Sequence, residues 1–543
     1  MMKTISFWRA LAASFVFAIA ALSAFGQATR PQATEAKNSA PDIGQWVTDL
    51  GSSNAQTRSD AKIALLLEPP VAFEKIEAAA HRQSLSPEVR KALQEVVDRI
   101  KPWQAARLRL QKRNEEDVQW YHKLAMDSYA RFGKTNVKWD ADAKAGIDLD
   151  ASGGAIGHGH LEKAIETGCD DPLVLYLEAN YLNYNSPVDK DTVFTMYYRA
   201  ASGMSPTNYP RYIKAWVFMD TFSNGYDLCW AKAKAKGQKT PDKATWDKSW
   251  PWHHDMLNFW PALASDNIPP RLLVNTAEQF TTRTSKINVD MRPLFSIVEG
   301  PLEHVLPKAL LLRYRGSYYK DYAWQARGGD WAYKVSPQNM QLFEERLALA
   351  ERNYTEAWAA DPTDPVVPTR MLDIELGEGK GNAVMEQWFQ RAMQANPDDR
   401  PACEKKMWYL MPRWYGSHEE MLRFGHECFD TQNWYGNLPF VLITAHIDIA
   451  MDHDDKSAYF AQANVWHDLQ SVYEPVLRLE PDNYTTRSYY CYYACLGKHW
   501  EIARKQFKLL GPNVSAGAFG GAAEMKKFRD LAESNGTSGK DVP

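Results

Sequence analysis

Apolar residues recur along this chain at spacings of three and four, the signature of helices with one buried face. Trp46, Val47 and Leu50 form one such face, and Gly51 stops it. A second helix carries Thr57-Arg58-Ser59-Asp60-Ala61 and Ala64-Leu65-Leu66, and Pro69-Pro70 breaks it. Phe73, Ile76 and Ala80 make the next stripe. Ser86-Pro87-Glu88-Val89-Arg90 then opens another helix, with Ser86 as N-cap and Pro87 in the first helical position. From Tyr209 to Pro301 the pattern stays helical but is interrupted by Pro, Trp and a basic stretch, Lys232 to Lys239. No stretch reads as a run of alternating strands. The pattern predicts an all-α fold.

The stripes repeat. Ala350, Tyr354, Ala357 and Pro362 give small, aromatic, small and helix-ending residues at offsets 0, 4, 7 and 12. Met385, Phe389, Ala392 and Pro397 repeat the rhythm 35 residues later. Leu469, Tyr473, Val476 and Pro481 give it again, as do Ala503, Phe507 and Leu510 after Gly497 and Trp500. The 84 residues from Pro397 to Pro481 are read as two units with an insertion near Asp452 to Asp455. Leu161 and Ala164 recur faintly as Tyr197 and Ala200. This frame resembles the tetratricopeptide repeat, whose period is about 34 residues. Its physical basis is close helix approach at small residues, with an aromatic filling the gap. Around Arg58 and Arg90, 32 residues apart, the chain resembles HEAT hairpins. Together the resemblances imply an α-α superhelix, HEAT-like hairpins first and tetratricopeptide-like repeats last.

One stretch is more distinctive. It reads Arg315-Gly316-Ser317-Tyr318-Tyr319, then Asp321-Tyr322-Ala323-Trp324-Gln325-Ala326-Arg327-Gly328. Trp388-Phe389-Gln390-Arg391-Ala392-Met393 and Arg413-Trp414-Tyr415-Gly416-Ser417 follow. From Pro307 to Leu510 the chain is similar to a bacterial domain family of unknown function, found in tetratricopeptide-containing and often exported proteins. That family carries no established activity, so the resemblance implies a fold and no catalytic residue.

Composition narrows the class. The 543 residues are 45% hydrophobic and 24% charged, which excludes a disordered chain and a multi-pass membrane protein. With 67 acids against 63 bases, nucleic acid is not an expected partner. Lys3 and Arg9, an apolar run from Ala10 to Leu22 and Ala24-Phe25-Gly26 read as a signal peptide over 1–26. A periplasmic or secreted location is therefore expected, with no membrane span in the mature chain. Six cysteines are too few for a disulfide scaffold, and Cys491 and Cys495, on one helix face, read as buried small residues. The expected organisation is a flexible leader over 27–41, HEAT-like hairpins over 42–102 and degenerate helical repeats over 103–304. A tetratricopeptide-like domain over 305–511 and a C-terminal segment over 512–543 complete it. The tail beyond Ala532 is too polar to fold.

Catalytic and metal motifs are near misses. Asp148-Leu149-Asp150-Ala151-Ser152-Gly153 begins like a calcium loop but has Gly159 where a bidentate Glu belongs. His158 and His160, read in the same loop, lack a third ligand. Adjacent His253 and His254 point apart on a helix, and His418 and His426 lack a partner at the required offset. Gly377-Glu378-Gly379-Lys380-Gly381 reads as a turn between repeat helices rather than a phosphate loop. No catalytic residue, cofactor or metal is expected. Loop aromatics are the candidate binding residues: Trp324, Arg327 and Trp331 in an insertion between helices, and Arg413, Trp414 and Tyr415 with Trp434 and Tyr435 in two loops. Three readings follow. The first is a non-enzymatic scaffold that binds a protein or peptide of the cell envelope in a concave groove. The second is glycan binding by the loop aromatics, which requires some of these tryptophans to be exposed in one cleft. The third is a helical-toroid polysaccharide lyase or hydrolase using His253 or His254 with Asp255.

Overall fold

A computed structural model describes residues 43–150, 155–185, 188–287, 289–329 and 332–535. The stretches expected to be a signal peptide and a leader, together with Trp331, Gly153 and the last eight residues, lie outside this set. The described residues form 24 α-helices and three short 3-10 turns, with no strand among them. The fold is all-α, and none of the described helices is long and apolar enough to cross a membrane.

The chain divides into two compact units. One comprises Lys112–Glu378; the other joins 38–111 to 379–543. The division at 378/379 falls inside the stretch read as one tetratricopeptide-like domain. The helix Pro87–Phe132 runs through Pro102, so the expected boundary at 102 lies in mid-helix.

In the 112–378 unit, consecutive helices pair and every second helix also touches, which builds two rows. Arg211–Ala235, Pro270–Ser285, Lys308–Arg327 and Val366–Glu378 follow one another in one row. Lys190–Met204, Lys243–Ala264 and Met291–Glu303 lie in the other. The small-aromatic-small frame explains the tightest pairing. Ala350, Tyr354 and Ala357 are fully buried on Pro337–Ala360, and a Cβ at Gly316 would lie 2.6 Å from the Tyr354 ring. Only glycine lets Lys308–Arg327 approach so closely. Ser317 then sits 3.0 Å from the Tyr354 hydroxyl and donates to Glu278 Oε1 at 2.8 Å.

Beneath that contact lies a buried ionic centre. Arg313, 2% exposed, donates to both oxygens of Glu278 at 3.0 and 2.9 Å and to Asp364 Oδ2 at 3.0 Å. A guanidinium fork satisfied by two carboxylates tolerates burial that a lone charge does not.

In the other unit the same frame is buried at Met385, Phe389 and Ala392, at Leu469, Tyr473 and Val476, and at Ala503, Phe507 and Leu510. The insertion near Asp452 to Asp455 is a turn followed by a five-residue helix, Lys456–Phe460. The first hairpins show why their arginines echo. Arg58 donates to the carbonyls of Ser52 and Ser53 at 2.7 and 3.0 Å, and Arg90 to those of Gln83 and Leu85 at 3.3 and 3.2 Å. Each ties its helix to the preceding turn. Helix Ala55–Leu67 packs on Ala463–Leu479, and Arg478 pairs with Asp60 at 3.0 Å.

Several local expectations change. Trp324 and Arg327 lie in the last turn of helix Lys308–Arg327, not in an insertion, because the helix continues until Gly328 takes φ +70°. Asp148 and Asp150 lie in helix Asp140–Asp150, and His158 and His160 lie in helix Ala155–Glu166 rather than in a loop. Each histidine meets its own acid: His158 meets Glu178 at 2.8 Å and His160 meets Asp142 at 2.9 Å. The final helix extends to Ser534, so Glu533 and Ser534 are still helical. All six cysteines are buried thiols, and Cys403 and Cys428 are neighbours.

Candidate functional site

The row of alternate helices in the 112–378 unit carries a line of charged and polar groups, some buried and some exposed. Tyr176 donates to Asp220 Oδ2 at 2.7 Å, and Arg283 reaches Asp220 Oδ1 at 2.7 Å. The Arg283 guanidinium also lies 5.9 Å from the Trp216 ring centre. Two helical turns beyond Asp220 stands Asp227, which shares one helix face with it. The charges of Lys286, Arg283 and Lys190 all act on Asp227. Lys286 in turn feels Asp227 and Asp321. Asp321 accepts from Thr282 Oγ1 at 2.6 Å and from Lys320. Arg370, on the next helix of the row, lies within electrostatic reach of Asp373 and Asp321.

Asp227, Lys286 and Lys190 keep accessible surface, whereas Asp220, Lys320 and Asp321 are buried, and surrounding protein perturbs the titration of the accessible three. Burial raises the Asp227 carboxyl and lowers Lys190. It brings Lys286 down to about 8. Accessible yet desolvated is the condition of a side chain lining a recess rather than a convex surface. The recess is visible at Lys286: a cavity of about 400 Å³ lined by Lys286, Asp321, Trp324, Gln325 and Gly328. Gln325 is held in place there by donating to the carbonyls of Ile287 and Val289 at 3.2 and 3.0 Å.

The sequence-derived candidates separate on this map. Trp324 lines the recess, edge-on to Phe343 at 4.9 Å, with the Arg327 guanidinium 5.4 Å from its ring centre. The others belong to the second unit. Trp434 is 2% exposed and packs against Phe429. Tyr435 lies under the Arg107 guanidinium at 5.0 Å. Arg107, 4% exposed, donates to both oxygens of Asp398 and to Asn433 Oδ1 at 2.7 Å. That turn is a structural joint. Tyr415 is 39% exposed, 4.6 Å from Tyr409, and covers Gly379, whose φ of +65° forms the turn between repeat helices. Arg413 stacks on Trp408 at 4.0 Å and faces Asp448, whose carboxyl burial raises to about 7. Trp414 is half-buried, 6.4 Å from Tyr415.

Of the acid–base candidates, His253 is packed in the core. His253 is 5% exposed, stacks on Trp250 at 5.1 Å and is lowered to about 4 by burial, so it is a neutral core group at ordinary pH. His254 is exposed, and the two rings are 6.2 Å apart at 88°.

Sequence reasoning missed Asp220, Asp227, Arg283 and Lys286. Their signal is faint: acids seven apart on one helix, and a basic pair closing the next-but-one. No family model matches the chain, and no curated protein matches it.

Proposed function

We propose that this is an exported, non-enzymatic helical-repeat protein that holds a protein or peptide of the cell envelope along the polar row of its 112–378 unit. The observation that carries the reading is the row itself. Acids and bases on alternate helices alternate in sign, Asp227 and Lys286 among them stay accessible, and the row ends at a recess with Trp324 in its wall. Such a surface matches an extended chain with polar backbone and mixed charges, as helical-repeat grooves do. The buried small-aromatic-small frame supports tetratricopeptide-like units, the Arg58 and Arg90 ties support HEAT-like hairpins, and the N-terminal apolar run supports export.

A photo-crosslinking residue at Trp324, in the chain expressed in its own envelope, tests this. The expected result is one crosslinked protein that disappears with Asp227→Ala or Lys286→Ala. Crosslinking indifferent to both substitutions would sink the reading. Glycan binding retains one support, the Trp324 wall, since Trp434 is buried in a joint. Polysaccharide retention lost with Trp324→Ala would bring that reading forward.

A further inference from the structure

Helices Lys190–Met204 and Lys243–Ala264 are neighbours in one row of the 112–378 unit. Residues at their facing ends line a second cavity, of about 660 Å³. Sites that hold a ligand usually enclose roughly 300–1,000 Å³. The wall is aromatic and prolyl: Tyr198 and Trp252, with Pro206 just past the first helix and Pro251 inside the second. These rings are held in place. Trp252 is 8% exposed, 5.0 Å from Phe218 and edge-on to Tyr198 at 6.3 Å.

The rim is polar and rich in donors. Ser202, Ser205 and Lys248 are exposed there, and Lys248 Nζ rests 5.6 Å from the Tyr198 ring centre. Among the described residues no carboxylate pairs with Lys248, whereas Asp247 beside it pairs with Lys243 at 2.7 Å. The Trp252 indole N–H also finds no acceptor among them. A buried donor left unmade is costly, so an acceptor arriving from outside is worth more here than at an open surface.

We propose that this cavity binds a proline-rich segment of a partner protein, in the polyproline II conformation and with an acidic residue at one end. Such a segment has no internal hydrogen bonds, and its prolines carry no N–H. It therefore needs apolar faces for its rings and donors for its carbonyls. Tyr198, Pro206 and Pro251 supply the faces. The hydroxyls of Tyr198, Ser202 and Ser205 and the Trp252 N–H supply the donors. Lys248, drawn from the Tyr198 ring, meets the acid, and aromatic-lined grooves of this composition are a general solution for polyproline II chains. A saccharide fits less well. Its hydroxyls donate as well as accept, and the one carboxylate in the lining, Asp247, already holds Lys243.

None of Asp220, Asp227, Arg283 or Lys286 lines this cavity, so it and the charged row stand or fall separately.

The test is fluorescence anisotropy of a labelled decaproline ending in glutamate, titrated with the full chain. Saturable binding is expected. Tyr198→Ala should weaken it at least about tenfold, and Tyr198→Phe, which keeps the ring and removes the donor, about threefold. Ser202→Trp, at an exposed position, should block binding and leave the melting curve unchanged. Lys248→Met should erase the preference for this peptide over decaproline without glutamate, and Asp227→Ala should change nothing. Absence of saturable binding overturns the proposal, as does binding that survives both Tyr198→Ala and Ser202→Trp. Equal binding of a glycine-serine peptide bearing the same glutamate also overturns it. Binding of cellohexaose or maltohexaose instead, lost with the same two substitutions, assigns the cavity to a saccharide.

Discussion

The turn at Trp434-Tyr435-Gly436 and the helix end at Trp324–Arg327 look alike in sequence: a tryptophan, a second ring or cation, and a nearby glycine. In the fold they have opposite fates. Around the turn that holds Trp434, distant residues arrive: Arg107, 326 positions before Asn433, bonds Asn433 and lies over Tyr435, and Asp398, 35 before it, accepts from Asn433. Around Trp324, Phe343 and Arg327 are close and the ring lines the recess. An aromatic beside glycine therefore says little by itself. What decides its role is whether a segment remote in sequence comes to cover it.

Substitutions can break this comparison. Trp434→Ala should cost about 3–5 kcal/mol in urea unfolding, because it empties a buried, well-packed site. Arg107→Met should cost a similar 3–5 kcal/mol by leaving Asp398 and Asn433 without their buried donor. A smaller effect is expected for Gly436→Ala, about 1–3 kcal/mol, since the added Cβ would lie 2.9 Å from the Asp398 backbone. Trp324→Ala should cost only about 1 kcal/mol while reducing partner capture. If Trp324→Ala destabilises as much as Trp434→Ala, the distinction between joint and recess fails.

Lys286→Met should stabilise the chain at neutral pH, because the folded state no longer holds a desolvated ammonium, yet it should weaken capture of a partner carboxylate. Because Lys286 titrates near 8, capture should decline as pH rises through 8. Stability moves the other way. The folded chain holds fewer protons than the unfolded chain between about 8 and the ordinary 10.5, so this group makes stability rise with pH across that window. Lys286→Met should flatten that rise in melting curves taken from pH 7 to 10.5.

The helices and their buried faces were legible because core packing is written locally: Ala350, Tyr354 and Ala357 must share a face at helical spacing. The distinctive Gly316 was legible as a signature but not as a reason, which appears only when Tyr354 lies against it. The polar row was not legible. Asp220, Arg283 and Asp321 are 63 and 38 residues apart, and only the stacking of alternate helices aligns them. Trp324 was placed in an insertion because nothing before Gly328 announces that the helix continues to Arg327.

The pairing of Arg478 with Asp60, 418 residues apart, has a consequence for synthesis. Most helical repeats fold progressively, each on its predecessor. Here the first hairpins emerge and must wait for Ala463–Leu479 before one of their apolar faces is covered. At about 5–20 residues per second, that wait is roughly 20–80 s on the ribosome. During it, the surface of Ala55–Leu67 that meets Ala463–Leu479 stays open to aggregation or to a chaperone. A chain terminated before Ala463 should therefore form the 112–378 unit and leave its own beginning unfinished.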